Sequence, residues 1–467
     1  MESWTEKPGS SFMVLKVGFL RLLNWTMVDR AVFFAALAKG WGLCAGLVTV
    51  LLIASYFTPV VQGYYYTFAN ILALQIFVEL GLGTVLVQFA SHEWSRLHLD
   101  PAGQIVGDQE ALSRLISIAR VGTTWYLTGG ILVILGLGIG GYFFFSGSSG
   151  QSVSWLWPWL CLCGLAGMNI CLVPIWSLLE GCNQVSPLFT YRFVQGVCFS
   201  LAIWLAILLG AGLWAAPVAQ GVGLMCAAIF LGGRYLPFLT TLIGSQPSGG
   251  RVSWRRDILP MQWRIALSWA SGYFIFSIFT PVLFWYHGPV VAGQMGMTWS
   301  LLSAVQIASA WLAPKVPQLG MLVAQRQYDE LDHLFWRITN IVVVMSIALA
   351  FCIWLFVYVL HKYDFHLATR LLPPLPTTLF LLAQVLVTLS LPFSAYMRAH
   401  KTEPIMHLSV LAAVLNGISA ITLGKYYAAN GMASGYLVIN VMIIPLVLWV
   451  WHCRRSEWRQ KNSLRLS

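Results

Sequence analysis

Phe57-Thr58-Pro59-Val60-Val61-Gln62-Gly63, with Thr67-Phe68 just beyond, ends one strongly apolar stretch and begins the next. Its parts return in the second half of the chain, first as Phe279-Thr280-Pro281-Val282 and then as Val290-Val291-Ala292-Gly293 with Thr298-Trp299. The matched positions stand 222 to 231 residues apart. A third echo, Leu112-Ser113-Arg114-Leu115 against Leu331-Asp332-His333-Leu334, precedes the third and the ninth apolar stretch. Three echoes in order, at nearly one offset, predict an internal repeat and so a molecule of two like halves.

The stretches around these marks belong in lipid. Of 467 residues 58% are hydrophobic and only 9% charged, and the mean hydropathy of +0.75 is far above that of a soluble chain. A bilayer crossing takes about 20 mostly apolar residues. Applied along the chain, that length predicts spans at 31–57, 64–90, 120–145, 154–180, 189–210 and 213–233, then at 264–286, 289–313, 335–360, 376–397, 404–423 and 427–452. The expected fold is all-α and polytopic, about twelve transmembrane helices in two six-helix bundles around a central cavity. An even count returns the chain to its starting side, so the repeats are parallel. The expected organisation is a tail at 1–30 with an interfacial helix near Phe12 to Leu23, bundles at 31–233 and 264–452, a polar linker at 234–263 and a basic tail at 453–467.

The net charge of +11 reflects topology, because no segment is polar enough to form a nucleic-acid-binding domain. Of the 27 Lys and Arg residues, 23 fall at the two ends and in alternate connections, which also hold the linker. The other connections hold only Lys362, Arg370 and Lys425, and Lys39 sits inside the first span. Positively charged loops stay cytoplasmic, so both termini are expected in the cytoplasm and the chain in the cell inner (plasma) membrane. No cleavable signal is expected, since Lys16 and Arg21 break the first apolar run. The nine Cys lack metal-ligand spacing and read as small apolar fillers. No paired carboxylates, metal cluster or nucleophile with its base is legible. Catalysis, a metal and a cofactor are therefore not expected.

The second span carries Gln75-Ile76-Phe77-Val78-Glu79-Leu80-Gly81-Leu82-Gly83 followed by Val87-Gln88-Phe89-Ala90. Leu179-Glu180-Gly181 precedes the fifth span, and Tyr396-Met397-Arg398-Ala399-His400-Lys401 leaves the tenth. With the twelve-span layout, these resemble the Wzx-type polysaccharide and O-antigen flippases of the multidrug/oligosaccharidyl-lipid/polysaccharide exporter superfamily. The resemblance covers most of the chain. It implies a cavity opening alternately to either side and a cargo of undecaprenyl-diphosphate-linked oligosaccharide carried to the periplasmic leaflet. The implied partners are that lipid-linked oligosaccharide, membrane lipids and polysaccharide assembly proteins. A drug or cation antiporter of the same superfamily would share the fold. A membrane-embedded O-antigen polymerase or glycosyltransferase would need a larger outward loop than the connection from about His361 to Leu375.

No position-exact motif carries functional residues across, so candidates come from physical cost. An ionisable group within a span is expensive and therefore a functional candidate. Glu79, near the middle of the second span, reads as a coupling-ion or cargo contact, or as one member of a structural ion pair. Lys39 reaches a similar depth, about 12 to 17 Å above the cytoplasmic face, and can pair with Glu79 or snorkel to the interface. Arg264 stands at the matching start of the seventh span. Together Lys39 and Arg264 are placed to hold a diphosphate at a cavity mouth, or to anchor the chain at the positive-inside face. Arg192 joins them as a substrate-binding candidate, with Glu180 as an alternative partner across the fourth cytoplasmic turn. Glycines at 129, 130, 136, 138, 140 and 141 suit close helix packing.

Overall fold

The computed structural model describes residues 30–147, 153–245, 252–312, 315–400 and 404–466. The interfacial helix expected at Phe12 to Leu23 lies outside the described residues. The first half holds α1 (Arg30–Tyr56), α2 (Pro59–Glu79), α3 (Leu82–Trp94), α4 (Gln109–Ser146), α5 (Leu156–Gly181), α6 (Val185–Leu208) and α7 (Ala215–Arg234). A short helix, α8 (Leu236–Gly244), lies within the stretch read as a linker. The second half holds α9 (Leu259–Phe276), α10 (Phe279–Leu302), α11 (Val316–Ala324), α12 (Tyr328–Lys362), α13 (Pro374–Ala399) and α14 (Met406–Leu466). One departure from an all-helical chain is a two-stranded antiparallel ribbon between α3 and α4, β1 (Leu97–Leu99) on β2 (Ile105–Gly107). Asp108 then caps α4 by accepting from the Glu110 amide at 2.9 Å.

Nine helices among the described residues are long and apolar enough to cross a membrane, or ten if the bent pair α2–α3 is one span. Two of the nine double back. In α10 the backbone leaves helical geometry at Gly288 (φ 82°, ψ 177°), and the rings of Phe279 and Trp299 meet 5.2 Å apart. Twenty residues of straight helix would separate them by about 30 Å. In α14 the break is Ala428 (φ 50°, ψ −138°), and a Cβ on Gly435 would overlap the Ser419 side chain, sixteen residues earlier. Read with these reversals, the described residues make twelve crossings. The apolar side chains left exposed, such as Leu127, Ile131, Leu135 and Phe143 along α4, recur at helical spacing and form a lipid-facing stripe.

The internal repeat is real, and the structure decides which echo carries it. Pro59 opens α2 and Pro289 opens the second arm of α10, 230 residues on. Both spans tighten into 3-10 geometry at the same relative place, Ala73–Gln75 and Ser303–Trp311. Gln109 and Tyr328 likewise begin equivalent helices after comparable connections. The echo of Phe57-Thr58-Pro59 at Phe279-Thr280-Pro281 is not an equivalence: the former separates two spans, while the latter lies within the seventh. Within the halves, α4 packs along α5, α1 along α6, and α13 along α14; between them the main contact is α2 against the second arm of α10. Glycines permit the α4–α5 contact, since a Cβ on Gly130 would lie 2.9 Å from the Gly167 carbonyl oxygen.

Candidate substrate cleft

The helices alternate in direction, so their connections divide into two ends. The basic end holds Arg30, the ribbon, α8 and the tail of α14; the opposite end holds the turns at 57–58, 209–214, 288, 363–373 and 428. At the opposite end the described residues of the two halves meet in close backbone contact. A Cβ on Gly63 would overlap the Pro289 carbonyl, and one on Gly293 would lie 2.9 Å from the Gly63 nitrogen. Only glycine lets these two backbones approach so closely. Gln62, buried beside this crossing, donates through Nε2 to the carbonyls of Gly293 (2.9 Å) and Arg370 (3.1 Å). Tyr64, Phe68, Phe145, Trp159 and Phe284 fill the space alongside with rings 4.9–6.3 Å apart.

Below this seal a cleft of about 400 Å³ opens at the seam between the halves. Its walls are α1, α6, the start of α2 and Ser300 of α10. On α1 it is lined by Ala38, Trp41, Gly42, Ala45, Gly46 and Thr49, a stripe of small residues with one indole. Trp41 Nε1 donates to Ser200 Oγ at 3.3 Å and Trp204 Nε1 to Thr49 Oγ1 at 2.9 Å, which ties α1 to α6. The remaining contacts of α1, with α10 and the turn at 366–370, are slight. One side of the cleft is therefore a single helix held chiefly by one neighbour. The lining contains no carboxylate.

Lys39 is exposed and follows Ala38 on α1. A step of about 100° places it on the rim of the cleft-facing stripe. Glu79 lies elsewhere. It is the last residue of α2, half-buried, at a break where Leu80 (φ 46°) and Gly81 (φ 67°) turn the span by 45° into α3. A Cβ at Gly81 would overlap the Ile265 side chain of α9, so both the left-handed backbone and the close approach need glycine there. Trp125 Nε1 donates to the Val78 carbonyl that the break leaves free, at 3.0 Å. The Glu79 carboxylate makes no hydrogen bond or ion pair among the described residues, and the phenol of Tyr126 lies within its electrostatic reach.

The pairing of Lys39 with Glu79 does not form. Similar depth is not proximity: α1 sits on α6, whereas this part of α2 sits on α4 and α9, so the two charges border different seams. Arg264 lies in α9, and its side chain lies outside the described residues. Arg192 does pair with Glu180, at 3.1 Å, with its guanidinium over the Phe189 ring. That bond spans the α5–α6 turn, and Arg192 stands one helical turn before Gly196 of the cleft wall. The groups sequence reading missed are Gln62 and Arg370. Arg370 is 6% exposed, and its Nε and Nη1 meet no partner among the described residues. Burial holds its guanidinium below the usual arginine range. In the sequence it was one of three cations on the sparse side, and that rarity was the available signal. No group of three or more His, Cys, Asp or Glu able to hold a metal occurs among the described residues.

No family model matches the chain, and no curated protein matches its sequence. Solved structures match its fold. A multidrug resistance MATE transporter of the MOP superfamily, in an inward-facing conformation, aligns with a TM-score of 0.62 at 13% identity, over 91% of this chain and 99% of that one. The fold is that of the MATE transporters. The lipid II flippase MurJ, in an inward closed conformation, gives 0.60 at 14% identity over 90% and 87%. The MATE multidrug transporter DinF-BH gives 0.60 at 13% over 91% and 94%. The chain is thus a multi-pass membrane protein with the MATE–MurJ fold, and its site must be read from its own residues.

Proposed function

We propose that this protein is a transporter that flips a lipid-linked oligosaccharide from the cytoplasmic to the periplasmic leaflet of the inner membrane, with both termini in the cytoplasm. The two halves would rock about the α2–α10 crossing by alternating access. The observation that carries the reading is the α1 cleft. It lies below the crossing of the halves, is lined by small, aliphatic and aromatic side chains, has no carboxylate among its lining residues, and is followed directly after Ala38 by the exposed Lys39. A cleft walled by one loosely held helix admits an amphiphile sideways, with the apolar tail left in lipid and an anionic head against the cation. Lys39, with Arg264 and Arg192 as further candidates, would receive the diphosphate, and Arg370 would meet it at the release end. The second reading, export of a cationic drug, draws on Glu79, an unpaired carboxylate inside a span.

The test is deletion of the gene with fractionation of lipid-linked glycan by leaflet. Accumulation on the cytoplasmic side, relieved by the wild-type chain but not by Lys39→Ala at normal abundance, supports the flippase. Normal glycan export with loss of cationic-dye efflux that also depends on Glu79 would establish the antiporter instead.

A further inference from the structure

A second cleft, of about 670 Å³, lies on the other seam, between α2, α4 and the segment entering α9. It exists because α2 bends: the turn at Leu80 and Gly81 opens a wedge against α4 that side chains do not refill. Its walls include Phe77, Leu80, Val121 and Leu132, with Thr128 between them. The Thr128 hydroxyl is spent on the Thr124 carbonyl at 3.0 Å, so between Arg120 and Leu132 the wall is mainly apolar, with the Thr124 hydroxyl near the basic end. Arg120 and Trp254 stand at one end. Trp254 stacks on Trp125 at 5.4 Å, and indoles gather at headgroup depth. Arg120 is exposed and donates through Nη2 to the Ser245 carbonyl at 2.9 Å, which uses one of the five N–H groups a guanidinium carries.

From Arg120 to Leu132 the cleft follows twelve residues of α4, about 18 Å, close to half of a hydrocarbon core about 30 Å thick. A groove one leaflet deep, mainly apolar along its length, with a cation and paired indoles at its mouth, matches one acyl chain with a phosphate at its head. We propose that this cleft binds an anionic diacyl phospholipid of the basic-end leaflet, its phosphate on Arg120 and one chain laid along α4 as far as Leu132. Because the walls join α2 of the first half to Trp254 ahead of the second, the bound lipid touches both halves. The site is separate from the α1 cleft, so it stands whatever cargo the protein carries.

The test is native mass spectrometry of the purified full-length protein in detergent, titrated with phosphatidylglycerol or phosphatidylcholine. One saturable phosphatidylglycerol should bind more tightly than phosphatidylcholine. Arg120→Gln should weaken it about fivefold, the contribution of one cation near a membrane surface, and should weaken phosphatidylcholine less, because its choline cation offsets its phosphate. Thr128→Trp, which fills the groove from its exposed side, should remove the bound lipid, as should Leu132→Trp if the first variant misfolds. Arg234→Gln, on α7, should change nothing. Equal binding of the two lipids, or phosphatidylglycerol retained unchanged by the Arg120 and groove-filling variants, would overturn the site.

Discussion

The two ends of the molecule are held by opposite chemistry. At the opposite end the halves touch each other through Gly63, Pro289 and Gly293, with no ion pair among the described residues of that crossing. At the basic end each half is tied to itself. In the first, buried Glu93 lies 3.7 Å from Arg114; in the second, buried Asp332 at the start of α12 takes Arg455 and Arg459 from the end of α14 and the Tyr396 hydroxyl from α13. Charge is spent inside each half and close packing between them. That division lets the halves move as bodies: separating them at the seal breaks dispersion contacts and the hydrogen bonds of Gln62 to Gly293, Met297 and Arg370, but no buried charge pair among the described residues.

The largest effect should come from the seal. Gly63→Leu forces a side chain into the Pro289 backbone, which cannot yield as a flexible side chain would. A cost of about 3 kcal/mol or more is expected, read as a fall in the thermal unfolding midpoint in detergent. An unchanged midpoint would mean that the crossing is not a tight contact in the molecule.

Next in size is the contrast between the two carboxylates. Asp332→Asn leaves Arg455 and Arg459 facing a neutral amide in a partly buried site and should cost about 2–3 kcal/mol. Glu93→Gln, whose partner Arg114 is 45% exposed, should cost about 1 kcal/mol or less. Equal losses in the two variants would remove the asymmetry between the halves.

A smaller effect is expected from pH at the same end. His400 stacks on Trp458 at 3.8 Å, and burial, partly countered by its bond to the Tyr396 carbonyl, holds its pKa below the usual 6.5. The folded state therefore takes up this proton later than the unfolded state. Stability should be constant above about pH 6.5 and fall as pH drops from there through the lowered value. A comparison of unfolding midpoints should show this drop in the wild type and its loss in His400→Gln. A midpoint that rises on acidification would reverse the sign and the assignment.

The crossings were legible because hydropathy needs only length: the tenth span was read at 376–397 and α13 runs Pro374–Ala399. The break in α2 was not, because Leu80 and Gly81 sit inside a stretch whose hydropathy reads as one span, and only backbone conformation reveals the bend. Val60 to Gly63 and its partner Val290 to Gly293 were recognised as an echo, yet nothing local says that the two copies face each other. The site was less legible still. Lys39 was found from its cost in a span, but its separation from Glu79 depends on which helices neighbour α1 and α2. Asp332 appeared only as part of an echo, its partners lying 123 and 127 residues away in a stretch read as a basic cytoplasmic tail.

The smallest effects on stability should accompany the largest on transport, and they separate function from structure at both ends. Lys39 is exposed and makes no ion pair among the described residues, so Lys39→Gln should change stability by less than about 0.5 kcal/mol while transport of an anionic cargo falls at least tenfold. Arg370 presents the sharper case. A buried cation with two nitrogens that meet no partner among the described residues burdens the fold, so Arg370→Met, similar in length and uncharged, should leave the unfolding midpoint unchanged or raise it. A structural arginine would behave in the opposite way, because its loss would strand whatever it holds. The main-chain bond from Gln62 to the residue 370 carbonyl survives the substitution, which keeps the turn in place. Transport and midpoint should therefore be measured on the same preparations of both variants. A stabilised Arg370→Met protein that no longer transports would place this cation on the cargo's path, whereas a destabilised one, or one that transports normally, would return it to the architecture of the loop.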